Sequence, residues 1–270
     1  MKAARVHNSR FIQCYRWTRT CVHVLEGVVT TVFVFPLTSA TRRRSLIKRW
    51  SARLLRILAV ESRVDGVLVS QSGNVLLVAN HISWLDIFVL NAEHPVRFVA
   101  KSELTQWPVL AQMIRGAGTV FIERTRRHDT HRVNAQMAAV LAGGDVVAIF
   151  PEGTTTDGRD LLPFKSSLLQ PIVEAKGHVQ PVAIRYCTRD GIPSMATAWV
   201  GDTTFAGSFW SICGARALVV TLSACPPLPA HATHRRDLAR AAEASIRSAL
   251  ASQDCATAPG TRGDHQGAMR

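Results

Sequence analysis

Residues Val75, Leu76, Leu77, Val78 and Ala79 form an unbroken apolar run that leads straight into Asn80 and His81. Such a run, with no polar alternation, describes a strand covered on both faces. The rest of the chain beyond residue 60 supports a sheet around it. Further β-rich runs occur at 67–70, 96–100, 119–122, 146–150, 179–184, 196–200 and 217–222. A turn at 72–74 separates the first strand from 75–79. Helical stretches are predicted at 85–91, 108–115, 131–142 and 166–175, with a terminal helix at 233–250. Strands alternating with helices imply an α/β layered domain, a mixed sheet flanked by helices. At 270 residues and 47% apolar content the chain can build one good-sized core.

The first 60 residues are different. They hold twelve Lys and Arg against a single acid, Glu26, so most of the net charge of +13 sits there. Residues 21–37 are mostly apolar, interrupted by His23 and Glu26, and fall slightly short of the about 20 residues a full span needs. Residues 44–59 then put Ile47, Trp50, Leu54, Ile57 and Leu58 on one helical stripe, with Lys48, Arg49, Arg53 and Arg56 filling much of the remainder. An apolar helix followed by a basic amphipathic one is an interfacial anchor, and its partner is an anionic membrane surface. A nucleic-acid partner is not expected, because the apolar run has no place in such a surface. Arg42, Arg43 and Arg44 follow the run at once, which argues against a cleaved signal peptide. The expected organisation is a basic, membrane-associating helical segment at 1–60, the α/β domain at 61–250 and a disordered tail at 251–270. The run 205–212 is unusually apolar for a connection, and reads either as a second membrane-facing patch or as a buried loop. The six cysteines have no metal spacing and read as reduced packing thiols.

Where strand 75–79 ends, side chains reach a cleft. His81 has Asp86 five residues on. That offset is about 140° around a helix, so the two meet only if His81 lies in a loop and Asp86 in the first helical turns, with Ser83 as a candidate N-cap. A histidine can take the proton of an attacking hydroxyl, and a carboxylate on its other nitrogen fixes the tautomer and stabilises the imidazolium. The chain has no G-x-S-x-G elbow, so direct attack by a hydroxyl needs no serine nucleophile. Arg124, after the β-rich run 119–122, offers a planar charged fork to a phosphate. Pro151, Glu152, Gly153 and Thr154 follow another strand. Pro151 ends the ladder, Gly153 permits a tight turn, and Glu152 can accept hydrogen bonds from substrate hydroxyls or from Arg124.

These signatures, Asn80 to Asp86, Gly118 to Arg124, Phe150 to Thr154 and Val179 to Ile184, resemble in order and spacing those of the glycerolipid acyltransferases. The resemblance covers roughly residues 20 to 225. It implies His81 as general base and Asp86 as its orienter. Arg124 is implied at the acceptor phosphate with Lys101 adding charge, and Glu152, Gly153 and Thr154 at the acceptor head. It implies acyl transfer from acyl-CoA or acyl-carrier protein to a lysolipid hydroxyl. The acceptor it implies first is 1-acyl-sn-glycerol 3-phosphate, giving phosphatidic acid, with a lyso-ornithine lipid or another lysolipid as the alternative. No metal or redox cofactor is implied. The protein is expected at a membrane with its site facing the cytoplasm, the inner membrane if bacterial. Two serines after Phe164 and Lys165, and the extended Thr154-to-Gly158 turn, depart from the simplest family pattern, and the extended turn looks like bacterial members that acylate lyso-ornithine lipids or other lysolipids.

Overall fold

The computed structural model describes residues 8–69, 74–101, 120–122, 127–231 and 233–252. Among the described residues, eight strands make one mixed sheet. They are β1 (Val60–Asp65), β2 (Val75–Ala79), β3 (Arg97–Lys101), β4 (Val120–Ile122), β5 (Val147–Ile149), β6 (His178–Thr188), β7 (Leu218–Ala224) and β8 (Leu228–Pro229). Their order is β1-β7-β6-β2-β5-β3-β4, with β8 paired to β6. Only β6 with β7 and β6 with β8 run antiparallel. β2 lies between β5 and β6, parallel to both, and all five of its residues are buried.

The pleat of β2 sorts its side chains into two cores. Leu77 and Ala79 join the layer built from α2 (Ala40–Ile57), α3 (Asp86–Glu93) and α6 (Phe205–Gly214). Leu76 and Val78 face α4 (Arg127–Ala142), α5 (Gln170–Glu174) and α7 (Arg235–Ser252). Strand β1 departs from expectation. The pairing strand is 60–65, not 67–70, and only Val60 in it is buried. It is an edge strand defined by its parallel register with β7, Val60 to Leu218 through Asp65 to Ser223, and carries no apolar run to announce it. The stretch 196–200 is also not a strand. Its Trp199 N–H donates to the Ile82 carbonyl (3.0 Å), and the Trp199 carbonyl accepts from the Thr155 hydroxyl. Those groups therefore serve the loops around His81 instead of a ladder. The expected helix 108–115, the turn residues 72–73 and the tail 253–270 lie outside the described residues.

At the N-terminus, α1 (Arg10–Val29) continues through a π turn (Thr30–Val34) and a 3-10 turn (Phe35–Leu37). The whole helix is 28 residues, about 42 Å at 1.5 Å per residue. Among the described residues it alone is long and apolar enough to cross a membrane, a test that core helices and signal sequences also pass. It is not a core helix here, since Phe11, Leu25, Phe33 and Leu37 are all more than half exposed. The two polar interruptions both face α2, His23 buried and Glu26 exposed. His23 stacks on Trp50 of α2 (4.5 Å between centroids), and each ring hydrogen bonds the other residue's carbonyl at 3.0 Å. Glu26 pairs with Arg53 at 2.9 Å. Arg16 donates to the Cys213 and Ala215 carbonyls at the end of α6. Part of the basic arm is likewise committed to the protein: Arg44 pairs with Asp145 (2.6 Å) and Lys48 donates to the Glu93 carbonyl (2.8 Å). The apolar run 205–212 is helix α6, with Trp210 exposed and Ser208 and Ile212 buried. One cysteine departs from the expected thiols: Cys187 is disulfide-bonded, while Cys14, Cys21, Cys213 and Cys225 are free, and Cys255 lies outside the described residues.

Candidate active site

The site gathers at the C-terminal ends of β2 and β5, where the chain leaves the sheet. The β2–β6 ladder ends at Ala79 opposite Val182. Asn80 extends it with its side chain: its Nδ2 donates to the Ile184 carbonyl (3.0 Å) and its Oδ1 accepts from the Ile184 N–H (2.7 Å). The amide imitates a peptide unit, so the backbone is free to turn while β6 stays paired. His81 follows in the loop.

Asp86 is the first residue of α3 and is fully buried. Its Oδ2 lies 2.8 Å from His81 Nδ1 and also accepts the Ile82 and Ser83 N–H groups (2.8 and 2.9 Å). Its Oδ1 accepts the Tyr186 hydroxyl at 2.7 Å. Four donors converge on one buried carboxylate, the condition under which such a charge is tolerated. Ser83 does not cap α3 directly; its hydroxyl accepts the Leu85 N–H in the turn before the helix. With Nδ1–H given to Asp86, the ring's Nε2 is the acceptor nitrogen, and among the described residues nothing hydrogen bonds to it. The ring is braced by Phe150, stacked at 4.0 Å and 9°. Its side chain remains 18% exposed, enough for access from one side.

Tyr186 was not among the residues singled out from the sequence. It is one of two tyrosines in the chain, set among both apolar and polar residues of β6. That is too faint a signal without the register that sets β6 beside β2. Burial pushes its hydroxyl well above the ordinary range, and the Asp86 charge pushes the same way, so it is a permanent donor.

Glu152 is 2% exposed. Its Oε1 accepts the His81 N–H (2.7 Å) and its Oε2 accepts the Leu162 N–H (2.9 Å). Both oxygens thus hold backbone, and one of those backbones is that of His81. Burial raises its pKa, against the two N–H donors, which favour the charged form. Gly153 adopts φ +74°, which favours glycine, and Thr154 is exposed. Thr156 donates its N–H to the His81 carbonyl (2.8 Å), so the loop after β2 is pinned through both its N–H and its C=O. Lys101 is the last residue of β3, and nothing is described of its side chain; Arg124 lies outside the described residues.

A buried carboxylate thus holds the histidine where β2, a central strand of the mixed sheet, ends. The comparisons with known proteins give the class. Residues 61–185 match the Acyltransferase family model. The chain belongs to this family, among the glycerolipid acyltransferases. It is 38% identical over 208 residues to a lyso-ornithine lipid O-acyltransferase of Pseudomonas aeruginosa, covering 77% of this chain and 79% of that one. It is also 38% identical over 212 residues to a 1-acyl-sn-glycerol-3-phosphate acyltransferase of Neisseria meningitidis serogroup B, covering 78% and 82%. The crystal structure of the 1-acyl-sn-glycerophosphate acyltransferase of Thermotoga maritima shares the fold, with a TM-score of 0.68 at 22% identity over 89% of this chain and 94% of that one.

Proposed function

We propose that the protein moves an acyl chain from a thioester, acyl-CoA or acyl-carrier protein, onto the free hydroxyl of a lysolipid. The observation that carries this reading is the His81–Asp86–Tyr186 array, which leaves the second ring nitrogen of His81 without a hydrogen-bond partner among the described residues. His81 Nε2 takes the hydroxyl proton as the oxygen attacks the thioester carbonyl. The resulting tetrahedral oxyanion collapses and breaks the carbon–sulfur bond. The imidazolium returns its proton to the departing thiolate, so the products are an ester and a free thiol. Asp86 stabilises the imidazolium while it exists. Glu152, through the His81 N–H, keeps the loop in register. Arg124 and Lys101 are assigned to the anionic head of the acceptor.

The first acceptor is 1-acyl-sn-glycerol 3-phosphate, with phosphatidic acid as product. A second reading, acylation of a lyso-ornithine lipid, is supported by the P. aeruginosa relative, which matches at the same identity as the N. meningitidis one. Both acceptors carry a hydroxyl and an anionic group. The exposed apolar side of α1 and the basic residues of α2 would hold the enzyme at the membrane, with the site on the cytoplasmic side where the donors are.

Acyl transfer by membranes carrying the wild type or His81→Ala, with labelled donors and each acceptor offered separately, tests this. Product with one acceptor, lost in the variant, is expected. Product from neither acceptor, or equal product from the variant, refutes the general-base reading.

A further inference from the structure

The turn at Gly153 carries a cation to which the chemistry above gives no role. Backbone contacts deliver Lys165 to this turn: its N–H donates to the Pro151 carbonyl (3.0 Å), after the Leu162 N–H has engaged Glu152. The side chain then lies against the open face of Gly153. A Cβ at Gly153 would stand 2.4 Å from Lys165 Nζ and 3.2 Å from its Cε, so the ammonium rests where any other residue's side chain would be.

Among the described residues that ammonium has neither a carboxylate within ion-pair range nor a hydrogen-bond partner, and the residue is exposed. The two carboxylates of the same turn are otherwise engaged. Glu152 holds the His81 and Leu162 N–H groups, and Asp157 holds the Arg159 N–H and guanidinium. The turn is also contiguous with the base. The Gly153 N–H donates to the carbonyl of Phe150, and the Phe150 ring stacks on His81. A cation on this turn that none of the described residues neutralises is suited to a ligand that brings the negative charge.

We propose that Lys165 binds the anionic group of the acyl acceptor, a phosphate or a carboxylate, over the face of Gly153. This rests on the lysolipid reading above and assigns to it a residue that holds the head. Glycine is needed there twice, for its positive φ and because a Cβ would displace the ammonium. The same chemistry exists in the phosphates of acyl-CoA, and the experiment separates the two sources.

Lys165→Met keeps the length and apolar stem of the side chain and removes its charge, while Lys165→Arg keeps the charge. Initial rates of the full-length protein in detergent would be measured with varied lysophosphatidic acid, varied lyso-ornithine lipid and varied acyl-CoA. Calorimetric binding of short-chain lysophosphatidic acid and of an uncharged short-chain monoacylglycerol would be measured beside them, in the wild type, both Lys165 variants and His81→Ala. In Lys165→Met the acceptor KM and the lysophosphatidic acid Kd are expected to rise about tenfold. Lys165→Arg should restore both, His81→Ala should leave the Kd alone, and the acyl-CoA KM and the monoacylglycerol affinity should not move. An unchanged acceptor KM and Kd overturns the proposal, as does an equal loss of monoacylglycerol binding or an effect confined to acyl-CoA. If the wild type makes no product from any lysolipid, the acyl-transfer reading fails instead, and the binding arm still decides whether Lys165 holds an anionic head.

Discussion

Replacing Tyr186 by Phe removes one oxygen from the core and nothing else. The hydroxyl donates at 2.7 Å to Oδ1 of Asp86, while the three remaining donors all fall on Oδ2. Asp86 is fully buried, so no water is placed to take over the vacated oxygen. A hydrogen bond to a charged group contributes about 1.5–3 kcal/mol. At roughly 2–4 °C per kcal/mol for a chain of this size, Tm should fall by about 3–12 °C. The effect on rate follows from the same bond. A carboxylate freed on one side can rotate, and the His81 ring rotates with it. A loss of about 1.4 kcal/mol in transition-state stabilisation is a tenfold loss in kcat. Thiol release from acyl-CoA at saturating acceptor would measure kcat, and thermal unfolding in the same detergent would measure Tm. A Tyr186→Phe variant with wild-type Tm and kcat would refute the argument that this phenol anchors the carboxylate that holds His81. A fall in Tm alone, with an unmoved kcat, would make the bond structural only.

Two other perturbations follow from the geometry. Glu152→Gln sets an amide N–H₂ against a backbone N–H that needs an acceptor, since both carboxylate oxygens receive backbone donors; urea denaturation should show a loss of about 1–3 kcal/mol, and kcat should fall with it because one donor belongs to His81. His94 sets a pH dependence: burial first, then Lys48 and Arg44, hold its pKa below the ordinary 6.5. The unfolded chain therefore takes up this proton before the folded one does, and stability present above about pH 6.5 is lost as pH falls through the folded value; the urea midpoint should drop between pH 7.5 and pH 5.5, and His94→Asn should shrink that drop.

The parts of the site legible in the sequence are those whose chemistry is local. Strand 75–79 could be read because a run with both faces covered leaves an unbroken apolar signature. The meeting of His81 with Asp86 followed from the loop-then-helix geometry that a five-residue offset demands, since the two are joined by one short turn. The turn from Pro151 to Thr154 announced itself through Pro151 and Gly153, whose backbone preferences are intrinsic. Glu152 shows where that legibility stops. Its charge and position suggested a group facing substrate, whereas its two oxygens hold the backbone of residues 71 places before it and 10 after it.

The sequence by itself determined the central strand, where the apolar helix and basic helix lie, and which histidine and carboxylate can meet, because each depends on spacing within a few residues. Tertiary structure alone decided the rest. Tyr186 reaches Asp86 across a separation of 100 residues because β6 lies parallel beside β2, and Asn80 keeps the two strands in step at the point where the backbone turns away. Lys165 reaches Gly153 because the segment after the turn folds back onto Pro151. β1 exists only through its pairing with β7. His23 and Glu26, which look like flaws in an apolar helix, are the groups that fasten it to α2. A hydrogen bond between distant residues leaves no trace in the spacing of either one, since its geometry is set by strand register and packing.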